Sequence, residues 1–242
     1  SGRRIPLVRT DLPDLVPLSL AQRRMWFLNR FDPESATENL PVAIELSGDL
    51  DISALRAAVA DVIERHESLR TVYPEVDGVA SQVIVPADQV VPDLVPTATT
   101  TAELPSALAA LAMGGFDVTA APPLRAELFE LDSDRYVLAF VTHHIAADGF
   151  SVGPMTRDLM VAYAARSAGV EPGWAPLAVR YVDYTLWQQS VLGSEDDPTS
   201  PVSNQIRHWT RALSGLPDEV TFPGDRARPD RSSYRGGNIT LA

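Results

Sequence analysis

Two β-rich runs, PLRAELFEL at 123–131 and RYVLAFVTHHI at 135–145, are joined only by Asp132-Ser133-Asp134, and the second delivers a histidine pair into a helical pattern. In that pattern Val152, Met155, Leu159, Ala162 and Tyr163 recur at helical spacing before Gly169. PVAIELSG at 41–48 alternates as a strand, and LRTVY and SQVIV are short strands parted by the turn-forming Val-Asp-Gly. Residues 17–31 read as a helix with Ser19 as N-cap and Gln22 completing a capping box. Asp51 caps another helix, through Ile52, Leu55, Val59, Val62 and Ile63, that ends near Glu67. AELPSALAALAMGG is a helix stopped by Gly114-Gly115, YVDYTLWQQS and SNQIRHWTRAL are two more, and the Pro- and Thr-rich residues 92–101 form a loop. Strands not regularly spaced by helices predict an α/β chain of the α+β sandwich kind, a mixed sheet flanked by helices.

The composition removes several chemistries. A chain of 242 residues suits one large or two small domains, and its net charge of −12 opposes the phosphate neutralisation that nucleic-acid binding needs. With no cysteine, disulfides, thiolate metal sites and cysteine nucleophiles are excluded. All 20 basic residues are arginine, so lysine Schiff bases and a P-loop lysine are excluded too. No stretch approaches the roughly 18 apolar residues that cross a bilayer. The N-terminal SGRRIPLVRT has no apolar signal region, which sets a cytoplasmic location as the expectation. The two ends, one without Met and the other, YRGGNITLA, a strand-like alternation left unfinished, suggest a piece of something longer. GSEDDPTSP reads as a surface connection and PGDRARPDRSS as a polar linker.

Within HHIAADGFSVG at 143–153, two catalytic spellings overlap: His-His-x-x-x-Asp-Gly and the nucleophile elbow Gly-x-Ser-x-Gly. The elbow needs a strand running directly into it, but the strand ends at the histidines. His208, the one histidine after Ser151, sits beside Trp209 in an amphipathic helix. Ser151 therefore reads as the cap of a helix from Val152, with Pro154 in its first turn. Adjacent side chains on a strand point to opposite faces, so only one of His143 and His144 faces a given cavity, which argues against a shared metal. No metal site is expected.

HHIAADGFS resembles the central motif of the condensation domains of nonribosomal peptide synthetases. LSLAQRRMWFL at 18–28, RHESLRT at 65–71 and YVDYTLWQ at 181–188 resemble that family's other N-terminal motifs, in order and over nearly the whole chain. The resemblance implies a chloramphenicol acetyltransferase-like fold. Residues 1–190 would form the N-terminal lobe, and residues 191–242 a connector helix, a linker and the first strand of a truncated C-terminal lobe. It implies amide formation, the amine of a carrier-bound acceptor aminoacyl thioester attacking a carrier-bound donor acyl thioester by direct transfer. No cofactor is expected on this chain itself, because both substrates would ride on the 4'-phosphopantetheine of donor and acceptor peptidyl carrier proteins. The missing C-terminal lobe and a neighbouring adenylation domain would be further partners, and the isolated fragment should be inactive. Two rivals are a noncatalytic carrier-protein docking module and a coenzyme A-dependent acyltransferase of the same fold.

By the motif match His144 is the catalytic candidate. An α-amine with a pKa near 8 is already partly neutral, so His144 is expected mainly to position it and stabilise the tetrahedral intermediate, with proton removal secondary. His143 is expected to be structural. Asp148 would be a brace whose arginine partner lies, by the resemblance, beyond residue 242, with Arg65, Arg70 and Arg125 as unranked substitutes. Gly149 would provide an unusual backbone angle or close substrate approach. Arg65, His66 and Arg70 end a helix, where its dipole favours cations. Met25, Trp26, Phe27 and Leu28 are expected in the core, and YVDYTLWQ either lines the channel of the carrier arm or packs between lobes.

Overall fold

The computed structural model describes residues 5–217. The expected polar linker and the strand-like YRGGNITLA lie outside the described residues. The chain divides into two compact units, one ending at Val191 and one beginning at Leu192.

The first unit opens with a two-residue β1 (Val16–Pro17) and α1 (Leu20–Phe31). There follow β2 (Asn39–Ser47), α2 (Ile52–Arg65), β3 (Thr71–Val72), β4 (Glu75–Val76) and β5 (Val79–Ile84). After β6 (Thr97–Ala98) and α3 (Leu104–Met113) come β7 (Leu124–Asp132), β8 (Arg135–His143), α4 (Gly149–Ser167) and α5 (Tyr181–Leu192). In the second unit, α6 (Pro201–Ala212) starts from the N-cap Ser200.

The main sheet has the order β2-β8-β7-β6, with β8 antiparallel to both neighbours and β6 parallel to β7. A mixed sheet flanked by helices is therefore the observed class, as the sequence predicts. A smaller sheet joins β1, β5 and β3, with β4 also on β5. Strand β8 is buried from Tyr136 to His143, which explains its unbroken apolar run: a strand covered on both faces has no polar side to show. Its Tyr136, Leu138 and Phe140 join Leu55, Val59, Val62 and Ile63 of α2 and Leu159 and Ala162 of α4. Its Val137 and Ala139 pack with Phe129 against Leu104, Ala107, Leu108 and Leu111 of α3.

Local signals placed the caps well. The Ser19–Gln22 box forms reciprocally, and the Asp51 carboxylate accepts from Ala54 N at 2.9 Å. Three expectations change. Thr97 and Ala98, in the stretch expected to be a loop, form β6 because the edge of β7 offers free partners at Phe129 and Glu130. Helix α2 ends at Arg65 rather than near Glu67, and a 3-10 turn, Glu67–Arg70, follows. There Arg70 donates to the carbonyls of Ile63, Glu64 and Val85, satisfying the end of the helix. Lastly, Phe27 of α1 is exposed, while the buried side chains of α1 are Gln22 and Asn29. Gln22 Nε2 donates to Gln82 Oε1 at 2.9 Å and Asn29 Nδ2 to the Phe116 carbonyl at 2.7 Å, so paired amides seat this helix together with Met25 and Trp26, which pack against the core, and not Phe27. Among the described residues no helix is long and apolar enough to cross a membrane.

Candidate active site at the end of the central strand

The histidine pair sits where β8 leaves the sheet, with the backbone held on both sides. His143 N donates to the Pro123 carbonyl at 3.1 Å, and His144 N to the Glu38 carbonyl at 2.8 Å. Strand alternation separates the two rings. His143 is 2% exposed and meets Phe116 edge to face, with centroids 6.1 Å apart. Its Nδ1 accepts from Ile145 N at 3.1 Å, which leaves the ring proton on Nε2. His144 is exposed, and its ring makes no hydrogen bond among the described residues.

Burial, with a smaller contribution from neighbouring His144, pushes the His143 pKa down to about 4. The unfolded chain, with a histidine near pH 6.5, then takes up a proton that the folded chain refuses. The stability contributed by the neutral buried ring is complete above about pH 6.5 and declines as pH falls toward 4, by about 3 kcal/mol in all. Equilibrium unfolding between pH 7 and 4 should show this slope. His143→Asn, whose amide oxygen can accept the Ile145 N–H, should flatten it, and an unchanged slope would place the acid sensitivity elsewhere.

Asp148 and Ser151 correct the reading of the helix start. The N-cap is Asp148, not Ser151, and α4 begins at Gly149. The Asp148 carboxylate accepts from Ser151 N at 3.0 Å and from Ser151 Oγ at 2.8 Å, while Asp148 N donates to Ser151 Oγ at 3.0 Å. The two residues form a capping box, which satisfies orphan amides of the first turn and occupies the hydroxyl that an elbow nucleophile would need. Pro154 consequently lies inside the helix rather than in its first turn. Gly149 is an ordinary first helical residue without a left-handed φ, so the expected unusual backbone angle is absent. A Cβ there would meet nothing within 4 Å, which leaves open space for close approach.

None of the substitute arginines reaches Asp148. Arg65 Nε pairs with Asp158 Oδ2 at 2.8 Å, and its guanidinium stacks 4.8 Å from the Trp174 ring. Arg70 serves the backbone carbonyls named above. Arg125 donates to Gly114 O at 3.0 Å and to Gly115 O, and lies over Phe116 at 3.8 Å. Among the described residues no three His, Asp or Glu side chains converge as metal ligands.

A cavity of about 300 Å³ opens beside the motif, lined by His66, Leu69, Ala146, Asp148, Phe150 and Met155. Phe150, 92% exposed at the second position of α4, is an aromatic held out at its rim. Sequence reasoning passed over Phe150, although an aromatic directly after Asp-Gly was a visible signal. His144 lines neither this cavity nor a larger one of about 590 Å³, where Arg65 and Arg70 sit with Arg166 and Arg180. The arrangement thus offers one free imidazole at a fixed backbone position and, after it in the chain, a capped helix start that borders a cavity of mixed lining: equipment for positioning a substrate and handling a proton.

A family model described as "Condensation domain" matches residues 13–242. The chain is 48% identical over 233 residues to a dimodular nonribosomal peptide synthase of Bacillus subtilis, covering 96% of this chain and 10% of that one. Among solved structures, the X-domain in its complex with OxyB from teicoplanin biosynthesis is similar at 40% identity and a TM-score of 0.85, over 95% of this chain and 50% of that one. The first condensation domain of the calcium-dependent antibiotic synthetase, solved with a substrate analogue, shares the fold at 18% identity and a TM-score of 0.70, over 86% and 50% of the two chains. The chain therefore spans about a tenth of the length of the synthase and half that of each solved chain.

Proposed function

The chain belongs to the condensation-domain family of nonribosomal peptide synthetases, and from that premise we propose that it supplies the histidine-bearing lobe of a domain that forms amide bonds. Residues 1–190 are read as the N-terminal lobe, and residues 191–242 as connector, linker and first strand of the second. The observation that carries the reading is the division of labour in the motif. One histidine is buried and spent on Ile145, and the other stands free on a fixed backbone.

In this reading the acceptor's α-amine attacks the donor thioester carbonyl. The tetrahedral intermediate expels the donor carrier's thiolate, and the ammonium proton leaves by way of His144 or solvent to that sulfur. His144 orients the amine and stabilises the intermediate. Asp148, Gly149 and Ser151 fix the loop beside it, with His143 holding the strand end beneath. Both substrates arrive on 4'-phosphopantetheine arms of carrier proteins, and neither is held covalently by the enzyme, in keeping with the absence of cysteine. The remaining lobe supplies the other wall of the site, and an adenylation domain loads the acceptor carrier. The setting is cytoplasmic.

With loaded donor and acceptor carriers, the complete domain should release amide-linked product while the isolated chain of residues 1–242 gives none. Turnover by the isolated chain would refute the half-site reading. Equal turnover with coenzyme A thioesters would favour the acyltransferase rival. A second reading, a noncatalytic docking module, draws on the similarity to an X-domain solved in complex with OxyB. It would prevail if the complete domain bound loaded carriers without turnover.

A further inference from the structure

The motif YVDYTLWQ has no place in the site described above, yet four of its side chains, Tyr181, Asp183, Trp187 and Gln188, reach the chain between residues 5 and 20. Asp183, whose side chain is fully buried, accepts from Thr10 N at 3.0 Å and Thr10 Oγ1 at 3.3 Å. It also accepts from Arg180 N at 2.7 Å, from Nε at 3.1 Å and from Nη2 at 2.8 Å. Arg180 Nη2 reaches back to the Thr10 carbonyl at 2.7 Å. Trp187 Nε1 donates to the Ile5 carbonyl at 2.9 Å. Tyr181 Oη and Ser19 Oγ share a hydrogen bond of 2.9 Å, and Gln188 Oε1 accepts from Leu20 N at 3.1 Å. One helix thus grips the chain at residues 5, 10, 19 and 20, and its Tyr181, Tyr184 and Trp187 rings lie in tilted contact in sequence, with centroids 5.5 and 5.9 Å apart.

Apolar burial does not hold this segment. Ile5, Leu7, Val8, Leu12 and Leu15 are each more than a third exposed. The segment from Ile5 to Leu15 lies on the lobe because α5 hydrogen-bonds its backbone, and that backbone would otherwise be free tether. Arg180 and the Thr10 donors keep the Asp183 carboxyl ionised far below the usual carboxylate range despite its burial. A charge so satisfied makes the grip directional.

We propose that α5 is a clasp for the N-terminal segment, with Asp183 as its anchor, and that it sets where a carrier protein joined on that side is tethered to the lobe. The inference rests on the condensation reading for its consequence, but the clasp itself does not. Releasing the segment adds roughly a dozen residues to any tether. If that doubles the free length, the local concentration of the carrier falls about threefold. Asp183 is thus a positioning residue for delivery, with no part in the chemistry.

The test compares the complete domain carrying a donor carrier fused to its N-terminus with the same domain given that carrier separately. Asp183→Asn should lower the fused, single-turnover rate about threefold or more and leave the separate-carrier rate unchanged. Hydrogen exchange at the Thr10 and Leu20 amides should accelerate in the variant while the β8 amides stay protected. If Asp183→Asn does not fold, the pair Thr10→Val and Trp187→Phe, which trims the clasp at its ends, replaces it with the same expectations. Equal losses in both formats would make Asp183 a structural residue only, and unchanged exchange would refute the clasp. Absence of product from the unaltered domain in both formats would overturn the condensation reading, with the exchange result still deciding the clasp.

Discussion

In the complete domain, His144→Ala is expected to lower the condensation rate at saturating carriers about a hundredfold or more, the lower part of the range for a positioned proton-handling group. The expectation follows from the exposure of this ring and the rigidity of its backbone, tied to the Glu38 carbonyl at 2.8 Å. Removing the ring leaves both the strand and the helix cap intact, so the loss should fall on kcat with little change in KM. The pH profile separates the two roles. An α-amine with a pKa near 8 is about a tenth neutral at pH 7 and mostly neutral at pH 9. If His144 served only as a base, the variant would recover toward the unaltered rate at pH 9. If it orients the amine and stabilises the intermediate, the deficit persists there, which is the expected result. A rate within a few-fold of the original at pH 7 would remove His144 from the chemistry altogether. His143→Ala, by contrast, should act first through stability, because it leaves the Ile145 N–H unpaired in a buried site.

What could be read from the sequence depended on how local the physics was. The Ser19–Gln22 and Asp51 caps span three residues and leave a signature within a single turn. The opposed histidines follow from the period of a strand, and the helix stop at Gly114-Gly115 from glycine alone. At Asp148 and Ser151 the local code offered two capping residues in one turn. A reciprocal box places the cap on the first of them, three residues earlier than the reading from Ser151. Of the apolar run in α1, Met25 and Trp26 do pack against the core while Phe27 does not, and the fully buried seat of that helix is made by Gln22 and Asn29, whose partners are 60 and 87 residues away. The same distance hid the partner of Arg65, 93 residues on, and the grip of Asp183 on Thr10, 173 residues back. Side-chain ion pairs and buried amides leave no periodicity, so residue type announced their need for a partner without naming it.

Asp158→Asn should destabilise the first unit by about 3–5 kcal/mol, the usual cost of breaking a buried pair from one side. Asp158 lies midway along α4, 5% exposed, and its Oδ2 receives Arg65 Nε at 2.8 Å and His66 Nε2 at 2.9 Å. Burial raises its pKa, but the hydrogen bonds from Arg65 and His66 and the charge of Arg65 outweigh this, so the net shift is downward. Burial holds the His66 pKa below its ordinary value, so near neutral pH its ring is uncharged and donates Nε2–H to the carboxylate. Asn cannot supply the charge that Arg65 needs. Arg65 would be left mostly buried, with only the Trp174 face and the Ala175 carbonyl as partners. For a unit of this size the loss corresponds to a fall in Tm of roughly 6–20 °C, readable by thermal and denaturant unfolding. Replacing both ends, Arg65→Met with Asp158→Leu, should recover much of the loss, since it removes the stranded charge along with the pair. The pair ties the C-terminal end of α2 to α4, and neighbours on both elements, His66 after α2 and Phe150 and Met155 of α4, line the cavity beside the motif. The single variant should therefore also loosen the loop that carries His144. A loss below about 1 kcal/mol would mean that solvent compensates Arg65 and that the contact is a surface pair in all but position.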